Sequence, residues 1–224
     1  FDRFVVLTAE DQGYWGALPN IRVIPNPLPF TSEETSSCKA TKVVAVGRYD
    51  FQKNFSKLLQ LWARIAPQFP EWTLEIYGNG ALRGELEQEV KDLGISSSVT
   101  LAQPTHQMKE VYLSASIYAM TSRYEGLPMV LIEAQQMGLP IVSFACPCGP
   151  RDVIHDGEDG FLIPMGEDDI FLKALTTLMA SEEKRICMGQ RAREASARYE
   201  VDAVMNKWLT LFSELVPTKP TSRL

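Results

Sequence analysis

The chain has 224 residues, of which 45% are hydrophobic, 22% charged and 9% aromatic. That balance excludes wholesale disorder and fits a soluble globular protein with a sizeable core, one ordinary domain or two small ones. The formal net charge of −6 argues against a nucleic-acid partner held through its phosphates, while leaving room for a local basic site.

No apolar run approaches the roughly 18 residues of a membrane span, and no lysine-led apolar segment opens the chain. Cys38, Cys146, Cys148 and Cys187 are dispersed apart from one C-P-C, and there are only two histidines. This is poor material for a metal site and reads as ordinary reduced cytosolic thiols, so neither metal nor cofactor is expected. Phe1 stands where a methionine would open a complete chain, and the sequence reads as cut from something longer.

Residues 4–8 read as a buried strand, followed at Glu10-Asp11 by a short helix or turn. Residues 21–24 read as a second short strand. It runs into Pro25-Asn26-Pro27-Leu28-Pro29, and such proline density excludes a helix or a central strand. Residues 31–41 are polar and serine-rich, which reads as a linker. The main domain is placed at 42–216, with a frayed polar tail at 217–224.

From residue 42 the pattern becomes regular. Strands are predicted at 42–46, 73–77, 99–101, 117–120 and 141–144, with a sixth at 160–163. Amphipathic helices are predicted at 55–69, 82–93, 108–114 and 129–137. Alternation of buried strands with helices indicates an α/β fold, a Rossmann-like parallel sheet of about six strands with helices on both faces. Residues 168–216 read as nearly all helix, broken near Ala180-Ser181 and Tyr199.

Ligands of such sheets bind beyond the carboxyl ends of the strands, so the loops there carry the candidate chemistry. The first loop is Gly47-Arg48-Tyr49-Asp50-Phe51-Gln52-Lys53-Asn54. Its two cations stand beside a helix start, where free amides and the helix dipole favour anions. Taken alone, this loop reads more readily as a solvated one with scattered charges. The second is Tyr77-Gly78-Asn79-Gly80, whose glycines permit close backbone approach. It fails the dinucleotide spacing because Arg83 stands where the third glycine is needed, and a plain strand-to-helix turn remains open.

The third segment, residues 122–134, reads SRYEGLPMVLIEA. Pro128 suits a first helical turn and Gly138 the position after the last one, so the helix runs over about 128–137. Glu125 then lies in the loop and Glu133 on an apolar helix, where burial is costly unless the carboxylate is hydrogen-bonded. Vicinal sugar hydroxyls are suitable donors, and pairing with Arg48 or another cation is the alternative. The amides of Gly126 and Leu127 could hold a phosphate. A fourth loop, Cys146-Pro147-Cys148-Gly149-Pro150-Arg151-Asp152, follows the strand at 141–144. His106 and His155 read as exposed or capping residues.

Together, "VGRYDFQKN", "IYGNG", "EGLPMVLIE", "MGLPIV" and "CPCGPRDVIHDGEDGFLIP" resemble the C-terminal half of retaining GT-B glycosyltransferases of family 4, the glycosyl transferases group 1. The resemblance covers about residues 1–216, with 1–30 matching the end of the N-terminal domain and the inter-domain passage. It implies an enzyme transferring a hexose-type sugar from a nucleotide diphosphate sugar, with UDP favoured, to a glycan or lipid-linked acceptor. It implies that Arg48, Lys53 and Glu125 are catalytic, the cations clamping the diphosphate and Glu125 contacting the donor sugar. Donor binding is assigned to Gly47, Gly78, Asn79, Gly80, Gln103, Gly126, Leu127 and Glu133, with Glu133 on the ribose. Acceptor recognition falls to the absent N-terminal half, so the fragment alone should transfer little or nothing. A cytoplasmic setting follows, and association with the inner membrane face through that absent half stays open. A UDP-sugar epimerase-like GT-B enzyme and a non-catalytic nucleotide-sugar-binding module are the alternatives. A phosphorylase and a nicotinamide oxidoreductase fit less well.

Overall fold

The computed structural model describes residues 2–16 and 18–216, so the tail expected at 217–224 lies outside the described residues. Two strands, β1 (Phe4–Val6) and β2 (Ile21–Val23), form a small parallel sheet around α1 (Ala9–Tyr14). The main sheet contains β3 (Lys42–Val46), β4 (Thr73–Tyr77), β5 (Val99–Ala102), β6 (Ile117–Met120), β7 (Ile141–Phe144) and β8 (Gly160–Ile163). All its pairings are parallel, in the order β5-β4-β3-β6-β7-β8.

The helices are α2 (Phe55–Ile65), α3 (Arg83–Asp92), α4 (Met108–Leu113), α5 (Met129–Gln136), α6 (Pro150–Val153), α7 (Asp168–Ala180), α8 (Glu182–Ser196) and α9 (Val201–Leu215). The predicted helix at 55–69 ends sooner, at Ile65. Pro67 lacks a backbone N–H to continue the ladder, and Ala66–Gln68 tighten into a 3-10 turn. Pro128 stands just outside α5 with an extended ψ of 91°.

The strands are covered on both faces, which is why their sequences are apolar runs rather than alternations. Along β3 and β6, Val43, Ala45, Ile117 and Ala119 join one core with α2, α3 and α7. Val44, Tyr118 and Met120 point to the other, with α4 and α5. Leu58, Leu59, Leu61, Trp62 and Ile65 give α2 a buried stripe at helical spacing.

Residues 31–41 form neither helix nor strand, yet Ser36 N–H donates to Met137 O at 2.8 Å and Cys38 is buried. The chain returns beside the proline-rich passage, where Leu28 N–H donates to Tyr199 O at 2.8 Å. Because β4 and β5 extend from one side of β3 and β6 to β8 from the other, the strand order reverses between β3 and β6. In open parallel sheets that reversal opens a crevice at the carboxyl ends.

Candidate functional site

The loop after β3 is one wall of the crevice. Tyr49 fixes it: the buried hydroxyl lies 2.7 Å from Ile76 O and 3.0 Å from Ala102 O, and its backbone N–H donates to Asn79 O at 2.9 Å. Burial pushes this phenol up to about 12. The loop is thereby tied to the ends of β4 and β5. Gly78 packs so closely that a Cβ there would collide with the Gly47 carbonyl oxygen, and a Cβ on Gly47 would sit 2.9 Å from the Lys53 stem. Glycine at both positions permits the approach.

The loop after β6 forms the other wall, and the two are laced together. Arg123 N–H donates to Gln52 O at 2.8 Å. Asn54, with φ of 54°, leaves its own helix uncapped. Its Nδ2 instead donates to Thr121 O at 3.2 Å, while its Oδ1 accepts from Arg123 Nη2 at 2.9 Å. A third loop holds the second, because Glu125 N–H donates to Pro147 O at 2.7 Å and Cys148 N–H to Glu125 O at 3.1 Å.

On this scaffold Lys53 Nζ lies 2.7 Å from Glu125 Oε1, the two side chains being 15% and 7% exposed. Nothing local in the sequence pairs these two residues, 72 positions apart; adjacency of β3 and β6 does. Arg48 is 75% exposed and uses one nitrogen, Nη2, on Gln52 Oε1 and Asp50 Oδ2, both at 3.3 Å. The rest of its fork has no partner among the described residues. Lys53 has three donors, one taken by Glu125.

Glu133 sits half-buried on α5 and accepts a hydrogen bond from Tyr112 Oη at 2.8 Å through Oε2. Among the described residues no cation pairs with it, and Oε1 has no partner. The ion pair with Arg48 left open by the sequence is therefore not formed. Burial raises the Glu133 pKa, partly opposed by the Tyr112 bond. Tyr118, fully buried, is raised well above the usual phenol range by burial and next by the Glu133 charge.

Gly126 is exposed and Leu127 buried just before α5. Neither backbone N–H has a partner among the described residues, so both remain available to an anion. At the ends of β3 and β4 a cleft of about 350 Å³ is lined by Gly47, Arg48, Gly78, Asn79, Pro104 and Thr105, among others. Gln103 is exposed on the same edge, outside that lining, and so is Gly80, which packs against the Tyr49 carbonyl. His106 is exposed, and His155 Nδ1 lies 2.9 Å from Asp159 Oδ2, outside the crevice.

Two contributors were given no role by the sequence. Tyr112 reaches Glu133 from α4, a helix on the same face of the sheet. Gln52 reaches across to the loop after β6, with Nε2 at 3.0 Å from Tyr124 O and 3.4 Å from Glu125 Oε2. Its spacing of four from Arg48 was the available hint.

A parallel sheet whose cations, carboxylates and open amides gather at the strand-order reversal defines the class of Rossmann-like proteins that hold ligands beyond the strand ends. Within that class the chain belongs to the glycosyl transferases group 1 family, whose model matches residues 31–195, and it is the C-terminal domain of their GT-B fold. It is 37% identical over 217 residues to the amylovoran biosynthesis glycosyltransferase AmsD of Erwinia amylovora, covering 92% of this chain and 61% of that protein. It is 29% identical to a Campylobacter jejuni alpha-1,4-N-acetyl-D-galactosaminyltransferase named for a PP-undecaprenol-linked glycan, covering 96% and 60%. The solved structure of S. aureus TarM, in complex with UDP among other ligands, superposes with a TM-score of 0.85 at 23% identity, covering 95% of this chain and 44% of that one. The chain thus spans about three fifths of the length of these two relatives.

Proposed function

We propose that this chain is the donor-binding half of a retaining glycosyltransferase that moves a hexose-type sugar from UDP to a glycan or lipid-linked acceptor. The observation that carries this reading is the meeting of Arg48, the Lys53–Glu125 pair and two open amides at one crevice. It is supported by the UDP-bound relative of the same fold and by relatives named for polysaccharide synthesis.

In this reading the diphosphate lies across the open Arg48 fork, the spare Lys53 donors and the Gly126 and Leu127 amides. Charge grows on the leaving diphosphate as the sugar–phosphate bond breaks through an oxocarbenium-like state. Fixed cations stabilise that charge most where it is largest, in the transition state. Glu125, held by Lys53, faces the donor sugar. The open Oε1 of Glu133 accepts from ribose hydroxyls, and the base rests in the cleft beside Gly78 and Asn79. The acceptor is held by the remainder of the enzyme, which works in the cytoplasm with the inner membrane face as a place of contact. Residues 1–30 are read as the end of the N-terminal domain with its passage, and the 224-residue piece alone as inactive.

Calorimetric titration of the full-length protein with UDP and GDP tests this. UDP should bind, and Arg48→Ala should weaken it by about 10- to 150-fold, the equivalent of about 1.5–3 kcal/mol for a charge-assisted bond. Absence of binding by either diphosphate would overturn the reading.

A further inference from the structure

Gln52 occupies the narrow space between the two walls of the crevice, and all of its amide is used. Nε2 lies 3.0 Å from Tyr124 O and 3.4 Å from Glu125 Oε2. Both are acceptors, so the NH2 group must face them. The carbonyl Oε1 therefore turns the other way, where it accepts from Arg48 Nη2 at 3.3 Å. No flipped assignment satisfies these partners, because an NH2 group cannot accept from a guanidinium.

The amide dipole thus points its negative end at a cation and its positive end at an anion. Arg48, Gln52, Glu125 and Lys53 form one continuous chain of contacts, closed by the 2.7 Å ion pair. Arg48 needs such a hold. It is 75% exposed, and its other acceptor, Asp50, lies on the same loop. Gln52 is the contact that ties Arg48 to the opposite wall, whose position is set by β6 rather than β3. The backbone takes part as well, since Gln52 O accepts from Arg123 N–H at 2.8 Å.

We propose that Gln52 is a positioning residue: it holds the Arg48 guanidinium in register with Glu125, so that one bound diphosphate sugar meets both. This rests on the donor-binding reading above. Loss of the amide frees Arg48 to sample solvent, and a bound diphosphate must then order it. The consequence falls on ligand binding through Arg48, not on the fold, because Gln52 is a loop residue outside both cores.

The test is a double-mutant cycle on the full-length protein, with UDP as the probe and calorimetry as the readout, melting temperatures being recorded for every variant. Gln52→Ala should raise the UDP Kd by about three- to tenfold, within the lower part of the coupling expected for groups in one hydrogen-bonded network. On an Arg48→Ala background the same change should have no effect, since nothing remains to be positioned. Gln52→Glu should bind UDP less well than Gln52→Ala, because its carboxylate sequesters Arg48 and faces Glu125. A merely structural role would lower the melting temperature and weaken UDP equally on both backgrounds, which overturns the proposal. So does a Gln52→Glu protein that binds UDP as wild type does. If the wild-type protein itself binds no UDP, the donor-binding reading fails and this inference falls with it.

Discussion

Lys53 and Glu125 hold each other in a site where neither is well solvated, the carboxylate side chain being 7% exposed. Removing one partner leaves the other charge stranded, which costs more than the pair contributes. Lys53→Met should therefore destabilise the protein by about 3 kcal/mol, measured by denaturant unfolding. The Lys53→Met, Glu125→Gln double variant should recover most of that loss without recovering UDP binding. A double variant as unstable as the single one would show that the ion pair is not the reason. Glu133 carries the opposite sign. Burial raises its folded-state pKa above the ordinary carboxylate range. The unfolded chain then gives up this proton first, so ionised Glu133 lowers stability as pH rises through the window above that range. Glu133→Gln should consequently melt higher than wild type at neutral pH, with the gap closing as pH falls through the raised pKa into the ordinary carboxylate range. A gap that widens on acidification would contradict the assignment.

At the scale of elements, the small β1–β2 unit is joined to the main domain by a cap supplied from a distance. Asp152 on α6 accepts from Ala9 N–H at 2.5 Å and Glu10 N–H at 3.2 Å, and Arg151 pairs with Glu10 at 3.0 Å. A carboxylate at a helix start satisfies orphan donors and complements the dipole. Asp152→Ala should cost about 1 kcal/mol and speed amide hydrogen exchange over residues 9–14. Unchanged exchange there would mean that Thr8, which accepts from Asp11 N–H at 3.0 Å, caps α1 unaided. Strands and helices of the main sheet were legible because their residues obey local rules. The run Val43-Val44-Ala45-Val46 has no polar position, and that itself reports burial on both faces. Helix ends were legible to a residue or two where Gly138 or Ser181 marks them, whereas the end of α2 was placed four residues late because the apolar period runs on past Pro67.

Across the whole molecule, the net charge of −6 and the two cations of the crevice coexist because charge acts locally. Arg48 and Lys53 face the strand-order reversal, whereas helix α3, away from it, carries four acidic residues against two basic ones. Both connections to the small sheet, the passage through Leu28 and the return at Tyr199, meet in a single hydrogen bond of 2.8 Å. Beyond it, α9 buries Val204 and Leu211 while leaving Leu209 and Phe212 60% and 51% exposed. No helix among the described residues is long and apolar enough to cross a membrane.

The sequence by itself determined the alternation of strands and helices, their coverage on both faces, and the loops that would meet a ligand. These follow from periodicity, proline and glycine punctuation, and the rule for strand ends, all of which act over a few residues. It also marked Arg48, Lys53, Glu125 and Glu133, as charges beside helix starts or on an apolar helix. Only the tertiary structure decided who touches whom: Lys53 with Glu125, Glu133 with Tyr112 instead of Arg48, and Gln52 between both walls. Those partners lie 72, 21 and 73 residues apart. Their meeting depends on β6 returning to pair with β3, a sheet order that the local pattern of a single sequence does not encode.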